Sequence, residues 1–152
     1  MEPSQVIFSV ALGKKLGLTR DQLYELGMGA LMHDMGKLKL PIEITNKEGA
    51  LAEPEWALIR EHPTEGILAL MELRGLGALP LRVMLIAYEH HMKIDQTGYP
   101  VSTRRREPTL FGRIVAVADG FDAATTMRSY QAEPWPADRV LAEMRDNPTR
   151  GF

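Results

Sequence analysis

Apolar residues recur at helical spacing along almost the whole chain, and nowhere between turn signals do they alternate as a half-buried strand would. That pattern predicts an all-α fold with one core, a bundle of about five to seven helices. Val6, Phe8, Val10, Leu12 and Leu16 mark a first helix over Gln5–Leu16, with Gly17 suited to the left-handed position after its end. Thr19 and Gln22 read as a capping box for a second helix whose apolar face runs to His33. Residues 36–51 are expected to be a loop anchored by Leu40, Pro41 and Ile42. Pro54 opens a helix carrying Trp56, Ile59, Ile67, Leu68 and Leu70, which Pro63 kinks or splits. Pro80 starts another that ends at His90-His91, and a polar loop with three consecutive arginines follows. Leu110–Thr126 is strongly helical, and Ala137–Met144 forms a last short helix.

Composition narrows the functions open to such a bundle. The 152 residues amount to one domain. Eighteen basic against 20 acidic residues give a net charge of −2, so no general field attracts polymeric nucleic acid, and a nucleotide ligand must be held by local groups. Cysteine is absent, which excludes disulfides, Cys-zinc sites and thiol catalysis. No apolar run reaches the length of a membrane span, and the start is unlike a signal peptide, so a cytoplasmic location is expected.

Six ionisable residues interrupt apolar helical ground. His33-Asp34 closes the run Gly27–Met32, and His90-His91 closes Val83–Tyr88. His62 lies between Ile59 and Ile67, and Asp119 lies inside Ile114–Ala118. Each alone reads as a satisfied core polar group, with Asp119 paired to Arg113 or Arg128, because a buried unpaired carboxylate is costly. Together they include all four histidines of the chain. Imidazoles with carboxylates at helix ends are what a two-metal centre needs, and imidazole suits iron, manganese, zinc, nickel and cobalt. Without thiols, a hydrolytic or redox centre fits better than a structural zinc.

The order of these pieces resembles the HD-GYP family, a branch of the HD phosphohydrolases. His33-Asp34-Met35-Gly36-Lys37 with Leu40-Pro41, then Glu61-His62-Pro63 with Gly66, match its first two segments. His90-His91 followed by Asp95 and Gly98-Tyr99-Pro100 match the motif that names the family, and Arg113–Ala123 with Arg128 and Tyr130 match its last ligand helix. The resemblance implies an HD-domain helical bundle that hydrolyses the bacterial second messenger cyclic di-GMP to linear pGpG, to GMP, or to both. It implies two or three divalent metal ions, iron or manganese, held by His33, Asp34 (bridging), His62, His90, His91 and Asp119. Asp34 and Lys37 would be catalytic. Lys37, Tyr99, Asp122 and Arg128 would bind substrate, Lys37 at a non-bridging phosphate oxygen. A sensory or receiver domain at the N-terminus and a diguanylate cyclase domain as partner are further expectations. The alternative is a catalytically weak module that binds the nucleotide or a protein as a regulatory output.

Departures from the family pattern sharpen these expectations. Met92 stands where Glu is common, Gln96 where Gly follows Asp95, and Gln131 where a basic residue is common. A further His expected on the first helix falls, by register, at or before Met1. Residues 1–152 therefore read as a single HD-GYP domain truncated at both ends. The metal position fed by His33 and Asp119 reads as underfilled, and the one fed by His62, His90 and His91 as complete.

Overall fold

The computed structural model describes residues 4–47, 49–73, 80–104, 106–126 and 133–148. Arg128 lies outside the described residues, as do Tyr130 and Gln131. Among the described residues every regular element is helical: α1 (Ser4–Lys15), α2 (Arg20–Met32), a 3-10 turn (Met35–Lys39), α3 (Ile42–Thr45), α4 (Glu53–Ile59), α5 (His62–Glu72), α6 (Leu81–Glu89), α7 (Leu110–Thr125) and α8 (Ala137–Asp146). Seven of these α-helices, all but the four-residue α3, are seven residues or longer, which matches the expected bundle.

Local chemistry sets the helix ends. At the start of α2 the Thr19 hydroxyl accepts from Gln22 N while the Gln22 side chain accepts from Thr19 N, so two otherwise orphaned donors are satisfied. Gly17 takes φ +80°, a conformation that glycine adopts without a Cβ penalty. Thr109 caps α7 by accepting from Gly112 N. Pro63 splits the helix expected downstream of Pro54: α4 ends at Ile59, and α5 restarts with the proline in its first turn, where a missing N–H costs nothing. The loop expected over 36–51 is more ordered than its two glycines and one proline suggested. It contains the 3-10 turn and α3, because short turns with i→i+3 bonds, such as Lys37 N to Asp34 O and Leu40 N to Lys37 O, tolerate such breakers.

The core lies where α1, α2, α6 and α7 meet. Leu26, Ala30, Ile86, Phe111, Ile114 and Val115 form one buried cluster, with Val6, Leu12 and Leu18 packed on its edge. Burying side chains the size of Leu26 or Ile86 stabilises by roughly 1.5–3 kcal/mol each. The 3-10 turn packs on α5, α5 on α6, and α8 on α7. By contrast, α3 and α4 carry no buried residue. They flank the bundle where Ile44 of α3 and Trp56 of α4 line one cleft with His62, His91 and Asp119. Among the described residues no helix is long and apolar enough to cross a membrane.

Candidate metal centre

Three of the four histidines share one local device. His33 is the C-cap of α2, His90 is the C-cap of α6, and His62 follows the end of α4. A helix end leaves backbone carbonyls without N–H partners. Each of these rings fills that need three residues back: Nδ1 of His33 on Ala30 O at 2.7 Å, of His62 on Ile59 O at 2.6 Å, and of His90 on Ala87 O at 2.9 Å. A carbonyl only accepts, so Nδ1 must carry the proton, and in the neutral ring Nε2 is left as a lone pair. Helix termination therefore orients the imidazoles for coordination.

The lone pairs converge on Asp34. His62 Nε2 lies 3.4 Å and His90 Nε2 3.8 Å from Asp34 Oδ1, and His33 Nε2 lies 3.4 Å from Oδ2. His62 Nε2 and His90 Nε2 stand 3.1 Å apart, two acceptors facing each other. His33 Nε2 and Asp34 Oδ1 are buried and lack a hydrogen-bond partner. Lone pairs pressed together and orphaned buried acceptors are what a cation resolves, so the donor set fits a divalent metal. Asp34, His62, His90 and His91 offer ligand atoms all within 4.8 Å of one another. Asp119 on α7 faces the other side, with Oδ1 3.8 Å from His33 Nε2.

Burial sets the protonation of these groups. It pushes His62 down to about 4 and His91 to about 3, with Lys37 adding to the effect, and it pushes His90 well below the ordinary imidazole value. All three rings are neutral near pH 7 and can act as ligands. Burial opposes charge on His33 and Asp34 as well, but their mutual attraction wins. The His33 pKa is raised, and Asp34 lies well below the usual carboxylate range, helped by Lys37. The Tyr99 phenol is raised by burial and by the carboxylates of Asp34 and Asp119, so it remains a donor.

The centre opens into a cleft of about 620 Å³, within the range of small-molecule sites. Lys37, His62, His91, Tyr99 and Asp119 line it. The Tyr99 ring stacks on His91 at 4.6 Å between centroids. Lys37, expected at a phosphate, bonds Asp34 Oδ2 at 2.7 Å while its side chain stays 40% exposed. Asp122, expected at the substrate, is 2% exposed. It accepts from Ser4 Oγ at 2.6 Å, because one helical turn past Asp119 it faces α1.

One feature was missed in the sequence, and another was read there only as a departure from the family pattern. Glu89 is fully buried and accepts from Thr109 N at 2.8 Å, from Thr109 Oγ1 at 2.6 Å, and from Arg106. It ties the end of α6, which bears His90 and His91, to the start of α7, which bears Asp119. Its signal was a carboxylate inside the apolar run just before the paired histidines. Gln96 takes φ +68°, the left-handed conformation for which the family pattern has glycine, and its side chain bonds Ile94 O and Arg106 O.

On the first helix the register puts Gln5 behind the centre. It is 2% exposed, with its amide 3.4 Å from His33 Nδ1. It therefore backs the His33 ring on the side away from the carboxylates.

Comparison with known proteins places this geometry among relatives. The profile of the family described as "HD domain" matches residues 4–150. The chain is 37% identical over 137 residues to cyclic di-GMP phosphodiesterase PA4108 of Pseudomonas aeruginosa, covering 90% of this chain and 32% of that protein. It is 36% identical over 135 residues to the cyclic di-GMP phosphodiesterase response regulator RpfG of Xanthomonas campestris, covering 86% and 34%. It is 34% identical over 144 residues to 3'3'-cGAMP-specific phosphodiesterase 3 of Vibrio cholerae, covering 93% and 30%. The chain thus spans about a third of the length of these relatives. A solved structure described as Bd1817, a HDG"Y"P protein from Bdellovibrio bacteriovorus, shares the fold with a TM-score of 0.72 at 24% identity, covering 97% of this chain and 45% of that one.

Proposed function

The chain belongs to the HD domain family, and from that premise we propose that it is a metal-dependent phosphodiesterase that hydrolyses cyclic di-GMP to linear pGpG, to GMP, or to both. The observation that carries this reading is the convergence of imidazole lone pairs on Asp34 at the floor of a cleft large enough for a cyclic dinucleotide. His33, Asp34 and Asp119 would hold one divalent ion. Asp34, His62, His90 and His91 would hold a second, with Asp34 shared between them. Iron or manganese suits this imidazole and carboxylate set. When bound, such ions supply a nucleophile from water near neutral pH and offset charge on the phosphate.

The chain's own groups do the rest. Ala30, Ile59 and Ala87 carbonyls hold three imidazoles in the ligating tautomer, so no reorganisation is needed when a cation arrives. Lys37 presents a compact positive charge at the cleft for a non-bridging phosphate oxygen. Tyr99, locked against His91 and protonated, offers a hydrogen-bond donor beside it.

The test is chromatography of products after incubating the manganese- or iron-loaded protein with cyclic di-GMP. Linear dinucleotide should appear, and a chelator should stop it. The variant Lys37→Ala should keep its metal content yet lose roughly ten- to a hundredfold in turnover, the worth of a hydrogen bond to a charged group. Cyclic di-GMP left intact by metal-loaded protein would refute the assignment. Metal lost together with activity in Lys37→Ala would make the lysine structural.

A further inference from the structure

Trp56 is the large aromatic of the cleft whose placement the core does not explain. It sits on α4, a seven-residue helix with no buried residue, and it is itself 39% exposed. It lines the same cleft as Lys37, His62, His91 and Tyr99, with Leu51 and Ile44 on the same lining. The cleft's other aromatic, Tyr99, already has a face covered by His91. Among the described residues no ring stacks on Trp56, and the Arg60 guanidinium stands 6.0 Å from its centroid. An indole left 39% exposed on a helix with no fully buried residue keeps apolar surface in water, and a flat ligand would cover it.

We infer that Trp56 is the stacking platform for one purine of the cyclic dinucleotide, an inference that rests on the hydrolase reading above. A phosphate that links the two riboses is then held at the Lys37 end of the cleft, while the indole contributes affinity without choosing among bases, since every base has a π-face. Base stacking on an aromatic side chain is worth enough that its loss lowers affinity by roughly 5- to 150-fold. Stacking of a base remote from the reacting phosphorus acts equally in ground and transition states, so it moves KM rather than kcat.

Steady-state kinetics on cyclic di-GMP with the metal-loaded protein test this. Trp56→Ala should raise KM about tenfold or more with kcat little changed, and Trp56→Phe should restore most of the loss. The melting temperature of both should stay close to the parent's, because no α4 residue belongs to the core cluster. A fluorescence titration gives a second readout that needs only binding. The chain has two tryptophans, and in Trp135→Phe the remaining Trp56 should be quenched as cyclic di-GMP is added. In Trp56→Phe the quench should vanish. A KM for Trp56→Ala within twofold of the parent, or a quench that persists in Trp56→Phe, would overturn the platform while leaving the hydrolase reading intact. Parent protein that neither binds nor hydrolyses the dinucleotide would overturn both.

Discussion

Asp34→Ala is expected to strip the centre of metal and to remove phosphodiesterase activity, while the protein still folds. Among the described residues the Asp34 carboxylate is the acid close to His33, His62 and His90 alike, at 3.4–3.8 Å from their Nε2 atoms. Without it, the imidazoles on either side of the cleft lose the anion that both ions would share, and four neutral or repelling rings remain. Lewis-acid stabilisation is worth several kcal/mol, and each 1.36 kcal/mol is tenfold, so activity should fall by on the order of a thousandfold or more. Folding should survive because the core cluster lies elsewhere, and because Lys37, 40% exposed, can solvate its freed ammonium. Elemental analysis of the purified variant, beside circular dichroism, gives the answer. Full metal content in Asp34→Ala would contradict the assignment.

Gly36→Ala should damage stability more than any other small change near the centre. A Cβ at Gly36 would come 1.8 Å from His62 O and 2.6 Å from Gly66 N. Both are backbone atoms of α5, so no side chain can swing aside. Overpacking of a closed site costs typically about 1–3 kcal/mol, and a backbone clash belongs at or above the top of that range. For a chain of this size, about 3 kcal/mol corresponds to a drop of roughly 6–12 °C in Tm. The same displacement would push the 3-10 turn off α5 and separate Asp34 from His62, so metal affinity should fall as well. Gly27→Ala is the control, since its added Cβ would meet only Val10 Cγ2 at 3.4 Å. Equal melting temperatures for the two variants would show that the turn and α5 are not packed as described.

Much of this arrangement could be read from the chain because it follows from local rules. Thr19 with Gln22, and the prolines at 54 and 63, announce helix starts by chemistry that does not depend on what packs against them. The histidines stood out because they closed apolar runs, and the same position explains how their rings are turned: a ring at a helix end finds a free carbonyl three residues back.

What stayed hidden depended on tertiary contacts. Trp56 read as one apolar residue of a long helix, until the break at Pro63 left α4 beside the cleft instead of in the core. Asp122 carries the same charge as Asp119 one turn away, and only the packing of α1 on α7 separates a carboxylate bonded to Ser4 from one facing the cleft. Glu89 gave no hint of its partners, because Arg106 and Thr109 reach it across a loop. Gln96 shows that a left-handed backbone position need not be glycine when side-chain bonds hold it, although the conformation costs roughly 1–2 kcal/mol.

The central claim is that backbone carbonyls turn the imidazole lone pairs onto one carboxylate to make a cation centre. Long-range proton–nitrogen correlation spectra of the histidine rings, recorded at pH 8 on metal-free protein and then with added zinc as a diamagnetic probe, test it most directly. Before zinc, His62 and His90 should carry their proton on Nδ1. On titration, the Nε2 resonances of His62 and His90 and one ring nitrogen of His91 should shift together and saturate. Rings protonated at Nε2, or Nε2 resonances that zinc leaves in place, would contradict the account.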